Sequence, residues 1–266
     1  MTARLDPLHS DDAEARNSAI LEIASQPTPQ VLDALQQLLS DPDASMFARQ
    51  AAAETFGQIG PPDGTAILYR MVDGDDPTLR ELAAIGLGRA PSAETVHRLI
   101  AALSDKVNTV RNVAERSLLA MEDELAAHGV EPLLKLLEHP VPLSRSPAAR
   151  LLGITRDARA LQPLLNHLQN DRQWLARMWA AKGLGDLGKI EAAGPLTHAM
   201  QHDEKNRVRA ASAEALGKLR PENVEQLLRT ALETDEDGGV RKIAGEALYS
   251  LGFESPEYHP DDPFDE

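Results

Sequence analysis

The chain has 266 residues, of which 42% are hydrophobic and only 3% aromatic, and its formal net charge is −15. It contains no cysteine, which excludes disulfides, a thiol nucleophile and thiolate-bound metal clusters. With 42 acidic against 27 basic residues it offers no basic face for phosphate backbones, so nucleic acid is not expected as a partner. No apolar run reaches the ~20 residues of a membrane helix and no secretory signal is visible, so we expect a cytoplasmic protein with no membrane partner.

The apolar residues are mostly alanine and leucine, which suits closely packed helices and favours an all-α fold. An internal repeat runs along the chain and is marked by eight arginines, the register arginines, at intervals of 31 to 34 residues. The third residue after each is small, the seventh is large and apolar, and in five repeats the eighth is glycine. The register arginines are Arg16, Arg49, Arg80, Arg111, Arg145, Arg177, Arg209 and Arg241.

Each register arginine is predicted to lie on the first helix of a helical hairpin. The third and seventh positions after it share one face of a helix and form its packing stripe. The glycine falls near the helix end, where it either relieves crowding or helps the chain leave the helix. Apolar residues at i, i+3, i+4 and i+7 indicate a second helix in most repeats. The clearest second helices are predicted over residues 96–103, 130–137, 161–168 and 224–232.

Polar residues separate the repeats, and their side chains are expected to cap the helix that follows. Asp105, Asp171, Asp203 and Asp235 each lie six residues before a register arginine. Because one helical pair cannot bury both of its faces, neighbouring pairs must stack. The sequence therefore predicts an N-terminal segment over residues 1–10, a single repeat domain over 11–253, and a disordered, acidic, proline-containing tail over 254–266.

The stretch Val208 to Gly217 reads Val-Arg-Ala-Ala-Ser-Ala-Glu-Ala-Leu-Gly, and Ala176 to Gly185 is close to it. This pattern resembles the HEAT-like repeats of the phycobilisome (bilin) lyase type, and the resemblance covers about Asp11 to Gly252. It implies an all-α superhelix, an α-solenoid of about eight HEAT-like helical hairpins.

The resemblance implies two kinds of function. Some members are subunits of bilin lyases, which attach an open-chain tetrapyrrole to cysteines of phycobiliproteins or detach it. Others are adaptors that bind partner proteins and catalyse nothing, and the repeat does not choose between them. A third HEAT-repeat type, the di-iron deoxyhypusine hydroxylase, carries paired His-Glu motifs. This sequence has no His-Glu dipeptide, so that interpretation is set aside.

The register arginines recur in every repeat, whereas a ligand site would be unique. We therefore interpret them as a ladder in which each arginine pairs with an aspartate near the repeat boundary. No glycine-rich phosphate loop, nucleophile elbow or acid–base pair of fixed spacing is present, so the catalytic residues are unknown.

In solenoids of this kind the second helices are expected to line a concave binding side. On each second helix, the residue after the central apolar pair and a neighbour one turn away are expected to be exposed. Together these residues would form a ridge of mixed charge that contacts a protein partner. Trp174 stands where other repeats have polar or loop residues and is interpreted as an exposed anchor or as packing between repeats. Trp179 is interpreted as core. The predicted partner-binding residues are Tyr69, His97, Lys135, Asn166, Trp174, Thr197 and Arg229.

His198 and His202 lie one helical turn apart but have no clear third and fourth ligand, so no metal site is predicted. The sequence favours a scaffold or chaperone-like adaptor without a cofactor. Its partner would be a phycobiliprotein or another HEAT-like subunit. The alternative is a bilin lyase or lyase subunit that holds a bilin transiently. An open end of the solenoid could pair with another solenoid.

Overall fold

The computed structural model describes residues 5–253, and these residues form sixteen α-helices and no strand. The prediction of an all-α solenoid is confirmed. The helices group into two compact units, one ending at Gly129 and the other beginning at Val130. The prediction of a single repeat domain over 11–253 stays a prediction, and the predicted tail lies outside the described residues. Among residues 5–253 no helix combines the length and apolar character that a membrane span requires.

The first unit stacks four first helices, three of them paired with a second helix and the last followed by the short helix α8. A 3-10 turn, Asp6–His9, precedes them and packs against α1 and α3, with Leu5 and Leu8 buried. Its helices are α1 (Ala13–Ala24), α2 (Pro29–Ser40), α3 (Met46–Ile59), α4 (Asp63–Val72), α5 (Pro77–Leu87), α6 (Ala93–Ala102), α7 (Asn108–Leu119) and α8 (Glu122–His128).

The second unit begins with a second helix and continues the alternation. Short 3-10 turns, Ala158–Ala160 and Ile190–Ala192, lead into two of its second helices. Its helices are α9 (Val130–Leu137), α10 (Pro142–Thr155), α11 (Leu161–Asn170), α12 (Trp174–Leu187), α13 (Ala193–His202), α14 (Asn206–Leu219), α15 (Val224–Thr234) and α16 (Gly238–Ser250).

All eight register arginines lie on first helices, and the four second helices predicted from apolar spacing are present as α6, α9, α11 and α15. The sequence did not indicate α8, which follows α7 in the fourth repeat. This helix has seven residues, three of them acidic in the first turn, and buries only Leu125. With one buried residue it shows no apolar periodicity.

The positions that recur in each repeat form the core within each unit. The small residue and the large apolar residue of the stripe are buried in every repeat, as in Ala52 and Phe56 of α3, both fully inaccessible. The glycines relieve crowding between successive first helices. A Cβ on Gly185 would lie 2.8 Å from Ala215 Cα, and one on Gly153 would overlap the Gly183 backbone.

Candidate functional site

Four register arginines form the predicted ladder. The guanidinium of each donates from Nε and Nη2 to both oxygens of the boundary aspartate of the next repeat. In the Arg177–Asp203 pair the two bonds are 2.8 and 3.0 Å long, and the side chains are only 11% and 9% exposed. The other pairs are Arg80–Asp105, Arg145–Asp171 and Arg209–Asp235.

Each of these aspartates also joins two repeats through its backbone. The Asp203 carbonyl accepts from Arg209 Nη1 at 2.9 Å, while the Asp203 carboxylate is held by Arg177. Asp105, Asp171 and Asp235 do the same for the arginine that follows them. Four repeat boundaries are therefore cross-linked twice by one residue.

The prediction that these four aspartates cap the next helix was wrong. Asp203 Oδ1 accepts from the backbone N–H of Lys205, which is itself the residue before α14. The aspartate thus closes a turn ahead of the helix, and its Oδ1 accepts from both the Lys205 N–H and Arg177 Nη2. Helix caps are supplied elsewhere by Asp12, Thr28, Ser45, Asp76, Ser92 and Asp237.

The remaining register arginines are anchored to the main chain. Arg16 donates to the Ser10 carbonyl, Arg49 to that of Leu39 and Arg111 to that of Asp105, while Arg241 donates to those of Asp235 and Glu236. The ladder with aspartate is therefore confirmed for four of the eight arginines. The first and fourth repeats have Pro42 and Leu137 at the spacing of 26 residues that the aspartates of the second unit occupy.

The ladder shifts the proton affinity of its members. Burial alone would raise the pKa of Asp105, but hydrogen bonds from Arg80 and the Val107 backbone hold it below its ordinary 3.8. Burial likewise opposes the lowered pKa of Asp171, which the bonds from Arg145, Gln173 and His167 produce. These carboxylates are ionised at neutral pH and are already paired, so the ladder is structural.

Two grooves lie beside the ladder in the second unit. One lies between the C-terminal halves of α11 and α13 and the other between those of α13 and α15, each with a volume of about 640 Å³. They share His202, Asp203 and Glu204. The Glu204 and Glu236 side chains on the rim are 72% and 87% exposed and lie 3.5 and 3.3 Å from the guanidinium groups of Arg177 and Arg209. Each of these arginines is already paired with a ladder aspartate, so one negative charge per arginine is in excess at the rim. A surface of this kind suits a cationic partner.

The predicted residues of the first unit are engaged within it. Tyr69 was expected on an exposed ridge, but it is half-buried, and its hydroxyl lies 3.0 Å from Thr95 Oγ1 and 3.3 Å from Ser92 Oγ. The Arg98 guanidinium lies 4.7 Å from the centre of its ring. His97 is exposed and donates from Nε2 to the His128 carbonyl at 3.2 Å.

Four predicted residues lie on second helices of the second unit. Lys135 and Asn166 are exposed, whereas Thr197 and Arg229 are half-buried. Thr197 donates to the Ala193 carbonyl, and Arg229 donates to Glu225 on its own helix. These residues do not line the two grooves. Their neighbours one turn on, Asn170 and Gln201, do.

Both tryptophans lie on α12 and are half-buried. The Trp174 ring has the Arg207 guanidinium 5.6 Å from its centre. The interpretation of Trp179 as core was wrong, because its ring lies at the surface with Arg150 and Lys182 over it at 5.3 and 5.8 Å. Gly153 and Gly183 bring α10 and α12 too close together to admit an indole between them.

Sequence reasoning missed the groove residues His202, Glu204 and Glu236. The rings of His198 and His202 lie 4.8 Å apart, and no group of three metal-binding side chains is found among residues 5–253. The available signal was positional. Glu204 and Glu236 both directly follow a ladder aspartate.

Comparison with known proteins places this fold. The family model for HEAT repeats matches residues 2–88, 124–185 and 161–249. The chain is 31% identical over 171 residues to an uncharacterized phycocyanin operon protein Z of Pseudanabaena tenuis (strain PCC 7409), an alignment that covers 60% of this chain and 82% of the relative.

Two solved structures share the architecture. One is the complex of CpcE and CpcF of phycocyanin lyase from Nostoc sp. PCC7120, with a TM-score of 0.52 and 24% identity over 59% of this chain and 99% of that one. The other is importin beta, with a TM-score of 0.62 and 16% identity over 94% of this chain and 38% of that one. At these identities they show the fold alone. The chain belongs to the HEAT-repeat family and is a relative of the phycocyanin operon protein.

Proposed function

We propose that this protein is a scaffold or chaperone-like adaptor that binds a phycobiliprotein through the second-helix face of its repeats. The observation that carries the proposal is the charge of the grooves on the two sides of the second unit. The second helices leave two open grooves with an acidic rim. In the layer of first helices (the first layer), a groove of about 560 Å³ lies between α14 and α16, but its charged residues, Glu214, Glu246, Lys218 and Arg220, balance one another. Only the grooves between second helices therefore combine room for a partner side chain with an excess of negative charge.

Charge supports the same surface. The net charge is −15, and Glu204 and Glu236 project from the groove rims with most of their surface in water. Complementary charge raises association rates and suppresses wrong partners. We infer that the partner presents lysine or arginine side chains to the grooves, with the predicted Lys135, Asn166, Thr197 and Arg229 flanking them.

The test is titration of the purified chain with apo-phycocyanin subunits by calorimetry. Replacing Glu204 and Glu236 by Gln should raise Kd about tenfold or more, since two rim charges are lost. The matched control replaces two exposed glutamates outside the grooves, Glu191 and Glu222, by Gln, which removes the same charge. Equal weakening by both pairs would mean that only net charge matters and would contradict binding in the grooves.

The alternative function is a bilin lyase or lyase subunit, favoured by the phycocyanin operon relative. A transiently held bilin would need a flat aromatic face, and Trp174 offers one beside the Arg207 guanidinium. Co-expression with a bilin-producing pathway and an absorbance spectrum over roughly 500 to 700 nm distinguishes the two functions. A coloured protein that loses its pigment in Trp174→Ala supports the lyase, and a colourless protein supports the adaptor.

A further inference from the structure

The first helices stack under one rule at the five junctions inside the two units where the eighth residue after a register arginine is glycine. That glycine faces the sixth residue after the next register arginine. A Cβ on Gly88 would lie 3.0 Å from Ser117 Oγ, and one on Gly217 would lie 3.1 Å from Ala247 Cβ. The five glycines are Gly57, Gly88, Gly153, Gly185 and Gly217, and the sixth residues that they face are Gly86, Ser117, Gly183, Ala215 and Ala247.

The first and last described helices break this rule on their outward sides. The eighth position of α16 holds Tyr249, whose side chain is 61% exposed. The sixth position of α1 holds Glu22, which is also exposed. A further repeat stacked on α16 would meet a phenol ring where its backbone needs a glycine, and one stacked on α1 would meet a carboxylate.

The ladder of arginine–aspartate pairs could not continue across such an end-to-end junction either. Six residues before Arg16 stands Ser10, where five other repeats have an aspartate, four of them the ladder aspartates. Arg241 keeps the backbone anchor of its class through Nη1, but a second copy stacked on α16 would bring Ser10 to its Nε and Nη2. Such a junction would lack the two charge-assisted bonds that hold Arg209 to Asp235.

We propose that Ser10, Glu22 and Tyr249 terminate the helical array and keep another solenoid from continuing it end to end. The inference does not depend on the proposed function. It is opposed to the expectation that an open end could pair with another solenoid, and the experiment below decides between the two. A HEAT-like partner, or a second copy of this chain, docks on a face of the repeats and not at their ends.

The experiment rebuilds an internal junction between two chains. One variant carries Ser10→Asp and Glu22→Ala, which copy Asp203 and Ala215, and a second carries Tyr249→Gly, which copies Gly217. Each variant has only one permissive end, so each alone should sediment at the 28.9 kDa of a single chain. Their equimolar mixture should sediment as a dimer, and a triple variant should form longer open-ended assemblies because the contact is head to tail.

The control mixture replaces Tyr249→Gly by Tyr249→Phe, which keeps the bulk of the ring and should remain monomeric. Thermal unfolding of every variant, followed by circular dichroism, establishes that each is folded. End-to-end association of the wild-type chain would overturn the proposal. So would a monomeric mixture of folded variants at concentrations of several hundred micromolar, since the three residues would then not be what prevents stacking.

Discussion

Ser212 illustrates how much a single atom matters in a core built of small residues. It occupies the third position after Arg209, where the other repeats have alanine, and its side chain is completely buried. Its hydroxyl has no hydrogen-bond partner. Ser117 is also buried, but its hydroxyl donates to the Ala84 carbonyl of the preceding first helix at 2.9 Å. The two serines form a natural comparison.

We expect Ser212→Ala to raise the free energy of unfolding by about 1 kcal/mol, because it removes an unpaired buried hydroxyl. Ser117→Ala should lower it by about the same amount, because the Ala84 carbonyl loses its donor. Urea unfolding of both variants measures the difference. A loss of stability in Ser212→Ala would mean that the hydroxyl is satisfied in solution.

The ladder pairs should be worth more than the exposed ion pairs nearby. Asp203→Ala leaves the buried Arg177 guanidinium with only the exposed Glu204 carboxylate, 3.5 Å away, as an ion-pair partner, and the expected loss is about 3 kcal/mol. The control is Glu214→Ala, which breaks pairs with Lys182 and Lys218 whose side chains are 33% and 42% exposed. That loss should stay near or below about 1 kcal/mol. Equal losses would show that the ladder is no more than surface charge.

At the level of single residues, the sequence was sufficient to predict which positions recur in each repeat but not the direction in which each side chain points. The spacing of the register arginines was enough to predict a ladder. That Asp105 and its equivalents turn their carboxylates to the preceding arginine, and not into the next helix, depends on backbone geometry before the helix. The position of Trp179 depended on how closely α10 and α12 approach, which no local pattern reports.

At the level of the helices, the glycines decide how tightly the first layer packs. Gly153→Ala would drive its Cβ into the Gly183 backbone, and we expect a loss of at least about 2 kcal/mol from the resulting strain. Gly194 on α13 has open space around its Cβ position. Gly194→Ala should therefore stabilise the protein by about 0.5 to 1 kcal/mol through helix propensity alone. Thermal unfolding of the two variants should shift in opposite directions, and two shifts of the same sign would contradict the close approach.

Helices with several buried residues could be predicted from apolar spacing, and those with one could not. The second helices predicted from their apolar stripes are all present, whereas α8 buries only Leu125. The grooves beside α13 were not predictable. They depend on the distance between successive second helices, which is set by the packing of the first layer and not by the residues that line the grooves.

At the scale of the whole molecule, the ladder makes the free energy of unfolding depend on pH in the acidic range. The pKa values of Asp105 in the first unit and Asp171 in the second lie below the ordinary 3.8. Their contribution is therefore fully present above pH 3.8 and is lost as the pH falls through the lower pKa of the folded state. We expect the free energy of unfolding, measured in urea, to fall below about pH 4.

Replacing both Asp105 and Asp171 by Asn should lower stability at pH 7 and flatten the decline below pH 4, since the groups responsible no longer titrate. The outward-facing Asp33, replaced by Asn, is the control and should leave the slope unchanged. An unchanged slope in the double variant would assign the acid sensitivity to other carboxylates.

Each ladder aspartate binds the preceding register arginine through its carboxylate and the following one through its carbonyl, and this arrangement affects how the chain can evolve. Because four junctions are completed by the same pair of residue types at nearly the same spacing, the repeats that carry this pair are interchangeable. Deleting the 32 residues from Arg177 to Val208 would place Arg209 six residues after Asp171, so the bond between that carbonyl and an arginine could form again. Gly153 would then face Ala215, another small residue. Unequal recombination can therefore lengthen or shorten the recognition surface in steps of one repeat, with each new junction already supplied.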